Sequence, residues 1–124
     1  MLEDIEKNLE ELKQALKSLE NLPPDKRYIA NFKNVYKFEK IIDKNCDSEG
    51  WYINLLVTDD KGVEGNLFHS SGNFRQFLTK REAQKAVLEN EIQDCEHILK
   101  IKTQELEELK ERYKNVTDSN SELW

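Results

Sequence analysis

The fold is decided by residues 51–68, which read WYINLLVTDDKGVEGNLF. Apolar residues fill every odd position from Trp51 to Val57 while the even positions are mixed, and this period-two pattern is typical of a β-strand with one buried face. The DDKG segment at 59–62 then has the composition of a tight turn, because glycine readily adopts a positive φ angle. Residues 63–68 are therefore expected to return as the second arm of a hairpin.

Upstream of this hairpin, two further strands are predicted. Residues 35–43 form the third strand of the predicted sheet and residues 28–32 a short fourth, which gives an antiparallel meander of three or four strands over 28–68. A helix over 32–42 stays open as an alternative because several of its apolar residues also fit one helical face, namely Phe32, Val35, Tyr36, Phe38 and Ile42.

The N-terminal segment predicts an amphipathic helix over residues 2–22. Its apolar residues recur at alternating spacings of three and four, and they are Leu2, Ile5, Leu9, Leu12, Leu16 and Leu19. This spacing draws one narrow apolar stripe along a helix, which is the pattern of a coiled coil. Pro23 and Pro24 are expected to end the helix, because proline lacks the amide hydrogen and restricts the residue before it.

Downstream of the sheet, residues 74–116 predict one long helix, followed by a flexible polar tail over 117–124. Two starts are open, because Asn73 can cap a helix and Thr79 with Glu82 forms a capping box. Its apolar stripe is interrupted by Lys102 and otherwise consists of Leu88, Ile92, Cys95, Leu99, Leu106, Leu109, Tyr113 and Val116.

The expected architecture is α+β, a single domain over 1–124 in which the two helices pair as an antiparallel coiled-coil hairpin. The first predicted helix is about half as long as the second, so residues 95–116 would have no partner within the chain. Exposing several Leu-sized side chains is costly, at about 1.5–3 kcal/mol each. We therefore expect a protein partner or a second copy to contact four residues of the long helix, Leu99, Leu106, Leu109 and Tyr113. Trp51 and Phe68 would join them if the sheet face is open.

Composition excludes several classes of function. Charged residues make up 35% of the chain and the net charge is −6, which argues against a surface that binds nucleic acid or anionic membranes as a whole. No apolar run approaches the roughly 18–20 residues that a membrane span requires. The first residues are acidic and lack the apolar core of a secretory signal, so we expect a cytoplasmic protein without a membrane partner.

One local segment departs from the acidic balance. Residues 26–44 contain six basic and two acidic residues, interleaved with aromatic ones. Such a pattern can bind single-stranded nucleic acid by charge and stacking, and the candidate residues are Lys33, Tyr36, Lys37 and Lys40. The same pattern is expected of paired strands with aromatic rings inside and lysines outside, so both interpretations remain open.

No catalytic, cofactor or metal site is predicted. The candidate ligands are Cys46, His69, Cys95 and His97, and their spacing is poor. Cys95 and His97 lie two residues apart on the predicted helix, so their side chains point to nearly opposite sides. The chain has no nucleophile elbow and no glycine-rich phosphate loop. The sequence thus favours a non-enzymatic module that binds proteins, such as an assembly factor, a chaperone-like protein or an inhibitor.

Residues 15–40, ALKSLENLPPDKRYIANFKNVYKFEK, resemble the end of the first helix and the entry to the hairpin in β-type prefoldin subunits. The resemblance is carried by the LPPD segment at 22–25 and by the VYK segment at 35–37. It implies a coiled-coil arm on a β platform that oligomerises through its strands. The first helix is about half as long as a prefoldin arm, the β segment is longer than one hairpin, and no client-binding residue matches position by position.

Overall fold

A computed structural model describes residues 2–118, and the chain divides after Leu88 into two compact units. The elements are α1 Leu2–Glu20, β1 Tyr28–Asn31, β2 Asn34–Cys46, β3 Trp51–Thr58, β4 Glu64–Ser70 and α2 Lys80–Asp118. The α+β class is confirmed. That residues 1–124 form a single domain stays a prediction. The boundary between the two units falls within the residue range of α2.

The four strands form one antiparallel sheet in the order β1-β2-β3-β4, as the meander requires. Tyr36 pairs with Ile29 and Ile41 pairs with Leu55, so the helical alternative for residues 32–42 is wrong. The neighbouring strand β3 shows the strand pattern most clearly, because its side chains alternate strictly between buried and half-buried positions. β2 is longer than predicted and keeps its pairing through two register shifts.

The core of the first unit lies between the sheet and α1, which packs on β2 and β3. Three α1 residues, Leu12, Ala15 and Leu19, are buried there with Ile53 and Leu55 of β3. Burying each Leu or Ile contributes about 1.5–3 kcal/mol, so this contact holds α1 in place. Because the contacts of α1 in this unit are with strands, its pairing with α2 as a coiled-coil hairpin stays a prediction.

The turn between β3 and β4 has the chemistry that its sequence predicts. The Asp59 carboxylate accepts hydrogen bonds from the backbone N–H groups of Lys61 at 2.9 Å and Val63 at 2.8 Å. Gly62 has a φ of 80°, a value that glycine adopts without the steric cost of a Cβ. These contacts fix the loop and hence the register of the hairpin.

Helix α2 begins at Lys80, six residues later than the predicted bound of 74. The Thr79 hydroxyl accepts from the Glu82 N–H at 3.1 Å, and the Glu82 carboxylate accepts from the Thr79 N–H at 3.0 Å. Thr79 is therefore the cap, and the same contacts lower the pKa of Glu82. The residues before it are held by a pair of backbone hydrogen bonds between Tyr28 and Leu78, at 2.9 and 2.7 Å.

The C-terminal end of α2 extends beyond the predicted 116. Thr117 is helical, and its hydroxyl donates to the Tyr113 carbonyl oxygen at 3.1 Å. The rest of the predicted tail, 119–124, lies outside the described residues. Within the described part of the chain, neither helix is apolar enough along its length to cross a membrane.

Candidate interaction surfaces

The α2 stripe is the set of apolar residues that α2 carries beyond Leu88 at alternating spacings of three and four. Its members are Ile92, Cys95, Leu99, Leu106, Leu109, Tyr113 and Val116, with Lys102 at the one polar position in the repeat. The exposed fractions of the large side chains run from 38% for Val116 to 71% for Tyr113. Among the described residues of α2, only Ala83 and Val87 are buried, and both precede the stripe.

The polar contacts within α2 that lie beside the stripe offset little of the free-energy cost of exposing these apolar side chains. The Lys102–Glu105 ion pair at 3.1 Å joins side chains that are 70% and 52% exposed, and such exposed pairs contribute about 0–1 kcal/mol. The Thr103 hydroxyl bonds back to the Leu99 carbonyl oxygen at 2.8 Å, which satisfies a polar group without covering apolar surface. Most of the stability of helices in proteins comes from packing of their apolar face, so covering the stripe would stabilise α2 substantially.

The four predicted contact residues of the long helix all belong to the α2 stripe. Leu99 is 67%, Leu106 50% and Leu109 53% exposed, so each is accessible to another chain. Ile98 and Ile101 lie beside the stripe and widen it, with exposed fractions of 58% and 40%. Their contact with a partner stays a prediction.

Trp51 does not lie on an open face, so the condition under which it was expected to contact a partner is not met at this residue. It is only 3% exposed and belongs to the core beneath α1. Its indole N–H donates to the Glu11 carboxylate of α1 at 3.3 Å, so the helix that was expected to pair with α2 covers it instead. Trp51 therefore holds α1 on the sheet.

Phe68 lies on the opposite, outward face of the sheet. It is 49% exposed, and its ring meets that of Tyr52 edge to face with the centroids 5.5 Å apart. The two rings form a small apolar patch on β3 and β4. The predicted contact of Phe68 with a partner stays a prediction.

The basic segment 26–44 is divided by the fold. Lys33 and Lys37 line a polar depression of about 330 Å³ together with Lys80 and the carboxylates of Asp59 and Asp60. Lys40 is not part of its lining. Sequence reasoning missed Lys80 because it comes from the start of α2, far along the chain.

The aromatic rings of that segment face mainly inward. Phe38 is 3% exposed, and the Arg27 guanidinium lies 4.5 Å from its ring centroid while donating to its carbonyl oxygen. Tyr36 is half-buried and packs against the core. Phe32, by contrast, is 82% exposed, so these two rings are covered by the protein while the segment still presents a solvent-exposed ring to a base.

Sequence reasoning also missed an apolar groove of about 490 Å³ between α1 and residues 69–77. His69 forms part of its wall and is 6% exposed, with its Nδ1 accepting the Arg75 backbone N–H at 2.8 Å. The rings of Trp51, Phe74 and Phe77 surround the imidazole at centroid distances of 5.5–5.6 Å. Burial, and secondarily the charge of Arg75, lowers the pKa of His69, so it acts as a neutral acceptor that holds the loop.

The part of the chain that the structure describes holds no cluster of metal-binding side chains. No three His, Cys, Asp or Glu side chains lie close enough there to hold an ion. Both cysteines are free thiols, Cys46 half-buried and Cys95 exposed.

Comparison of the chain with protein-family models, with curated proteins and with solved structures gives no match. Function is therefore inferred from the residues of this chain and from their placement.

Proposed function

We propose that this chain is a non-enzymatic protein-interaction module that associates through the α2 stripe. The observation that carries the proposal is the exposure of six large apolar side chains at coiled-coil spacing, between 38% and 71% each. Contiguous exposed apolar surface on this scale marks interaction sites. An assembly factor, a chaperone-like module or an inhibitor would each use such a surface.

The spacing specifies the kind of partner. Alternating steps of three and four place all members of the stripe on one narrow face, where they can insert as knobs between the side chains of another helix. The α1 helix of the same chain is a poor candidate for this role, because Leu12, Ala15 and Leu19 of its own stripe are buried against the sheet. A helix of another chain fits best.

The resemblance to β-type prefoldin subunits supports a proposal of the same kind. It implies a helical arm joined to a β platform, and this chain has a four-stranded sheet and a long helix with an exposed stripe. The outward patch of Tyr52 and Phe68 would give the sheet a contact surface of its own.

Site-specific photo-crosslinking of the full chain tests the proposal. A crosslinking residue at Leu109 lies in the stripe, and one at Gln104 lies on the other side of the same helix as a matched control. We expect protein adducts from position 109, in purified protein or in an extract of the source cells, and none from position 104. Leu106→Lys should suppress them, because it places a charge in the stripe. Absence of adducts from position 109 in both samples, or equal adducts from both positions, would overturn the proposal.

Nucleic-acid binding through residues 26–44 has weaker support. Lys33 and Lys37 share their depression with two carboxylates, and the rings of Tyr36 and Phe38 are half-buried or buried, which leaves Phe32 as the strongly exposed ring of the segment.

A further inference from the structure

The α2 stripe raises the question of which helix covers it. We propose that a second copy of this chain does so, in an antiparallel coiled coil whose two-fold axis passes between Lys100 and Ile101. This inference rests on the proposed function, and it names the partner, the orientation and the register.

The core positions match in this register. The apolar residues of the stripe occupy the two core positions of the heptad, called a and d. In an antiparallel coiled coil, each residue at position a of one helix packs against a residue at position d of the partner helix. Ile92 then falls opposite Leu109 of the second copy, Cys95 opposite Leu106, and Leu99 opposite Lys102. Tyr113 falls opposite Leu88, which is 58% exposed. Each of these pairings occurs twice by symmetry, so one register covers most of the exposed stripe.

The residues flanking the core favour the same register through charge. Glu91 falls beside Arg112 of the second copy, and Glu89 beside Lys110, which gives four opposite-charge pairs in the dimer. The remaining flanking pairs place Glu96 beside Thr103 and Ile98 beside Glu105, and none joins two like charges. Flanking charges of this kind set the partner and the orientation of coiled coils.

A parallel pairing in register is disfavoured by the same residues. It would set Glu91 beside Glu96 of the second copy on both sides of the dimer, and these like-charge pairs would offset the opposite-charge pairs of Glu105 with Lys110. It would also place both Lys102 side chains in a single core layer, where two ammonium groups repel. In the antiparallel register each Lys102 faces Leu99 instead, and its ammonium reaches Glu105 of its own helix at 3.1 Å. The aliphatic stem then covers the core while the charge stays in water.

The antiparallel register shifted by one heptad so that the two-fold axis lies at His97 is less favourable, because it would set Glu91 beside Glu105 of the second copy. The antiparallel register shifted by one heptad in the other direction is also less favourable. It would set Cys95 opposite Tyr113 and would bring the two Glu105 side chains together at the two-fold axis. Only two opposite-charge pairs, between Glu96 and Lys110, would remain. The charge pattern therefore favours the proposed register over both one-heptad shifts and over the parallel pairing.

Disulfide trapping in the full chain distinguishes these arrangements, because disulfides form only between closely apposed cysteines. In a Cys46→Ser background, the proposed register predicts that Leu106→Cys yields a dimer linked between positions 95 and 106, identified by peptide mapping. Tyr113→Cys, the matched control, should give no link between 95 and 113. A link between the two Cys95 residues would show the parallel form, and a link between 95 and 113 would show the shifted register. Either result overturns the proposal.

Charge reversal gives an independent test that does not depend on cysteine chemistry. Glu91→Arg alone should weaken dimerisation about tenfold, and Arg112→Glu alone should do the same. The two changes together should restore the affinity to within about threefold, because the pair is rebuilt with opposite polarity. Failure of the double variant to recover would contradict the register.

Failure of this inference differs from failure of the proposed function. A chain that stays monomeric but crosslinks to another protein through position 109 would exclude the second copy as partner while leaving the interaction surface in place. A chain that does neither would exclude both.

Discussion

The two units of the chain differ in how far they bury their apolar side chains. In the first unit Ile53, Leu55 and Val57 are fully buried, whereas in the second the six large apolar side chains of the α2 stripe are at least 38% exposed. Both sets are apolar and both follow a regular period. The difference is that β3 has neighbouring strands on both sides and α1 on one face, while residues 89–118, the described part of the second unit, are a single helix. Periodicity thus predicts an element, and only a second layer turns its apolar face into a core.

Helix α1 contains both situations along one stripe. Its second half is buried against the sheet, and its first half remains exposed, with Leu2 at 74%, Ile5 at 39% and Leu9 at 41%. Asn8 nevertheless anchors this half, since its side-chain amide donates to the Asp47 carbonyl oxygen at 2.9 Å. A continuous stripe in the sequence is therefore covered only as far as the sheet extends.

The largest expected effect comes from removing the same amount of apolar side chain in each unit. Ile53→Ala should lower the free energy of unfolding by about 2–5 kcal/mol, because it leaves a cavity in a closed core. Leu99→Ala should change the stability of the first unit by less than about 0.5 kcal/mol, because its side chain is already in water. Urea unfolding followed by near-UV circular dichroism, at a dilution that keeps the chain monomeric, measures both. Equal losses in the two variants would contradict the contrast between the units.

A smaller effect is expected where α2 begins. Thr79→Ala removes the hydroxyl that accepts the Glu82 N–H, while the backbone N–H of residue 79 can still donate to the Glu82 carboxylate, and it should destabilise the start of the helix by about 1 kcal/mol. Thr79→Ser is the matched control, since it keeps the hydroxyl and should cost little. Amide hydrogen exchange over residues 80–88 reports the change, and unaltered protection in Thr79→Ala would show that packing rather than the cap fixes this end.

The smallest effect concerns His69. Its pKa lies below the ordinary 6.5 in the folded protein, so the unfolded chain binds the proton more readily. The free energy of unfolding should therefore decrease as the pH falls from about 6.5, the pKa in the unfolded chain, toward the lower pKa of His69 in the folded protein. Above about pH 6.5 the contribution of His69 should be constant. His69→Asn keeps an acceptor near the Arg75 N–H without titrating in this range, so its stability should depend less on pH. Urea unfolding between pH 5 and 8 measures both, and identical pH profiles would contradict the assignment.

Much of the fold could be predicted from local pattern. The strict alternation in β3 and the turn at 59–62 predicted the hairpin, and Pro23 and Pro24 indicated the end of α1 to within two residues. The start of α2 could not be decided, because Asn73 and Thr79 both carry capping chemistry. The choice depends on the backbone pairing of Tyr28 with Leu78, a contact between residues far apart in sequence.

The candidate surfaces were predicted unevenly for the same reason. The α2 stripe depends on spacing within one helix, so sequence alone found it. Whether the sheet face at Trp51 is open could not be predicted, because the sequence does not say which helix covers that face. The place of Lys80 in the depression beside Lys33 and Lys37 was missed, as was the place of His69 in the cluster of aromatic rings. Both surroundings are assembled from separate elements.

The most direct test of the central claim is sedimentation equilibrium of the full chain over a wide range of concentrations. The account predicts that the wild-type mass rises from 14.7 kDa toward twice that value, and that Leu106→Lys with Leu109→Lys holds it at 14.7 kDa. Gln104→Lys with Asn115→Lys adds the same charge outside the stripe and should behave as the wild type. A double Leu→Lys variant that associates as strongly as the wild type would contradict the claim that the α2 stripe is the contact surface.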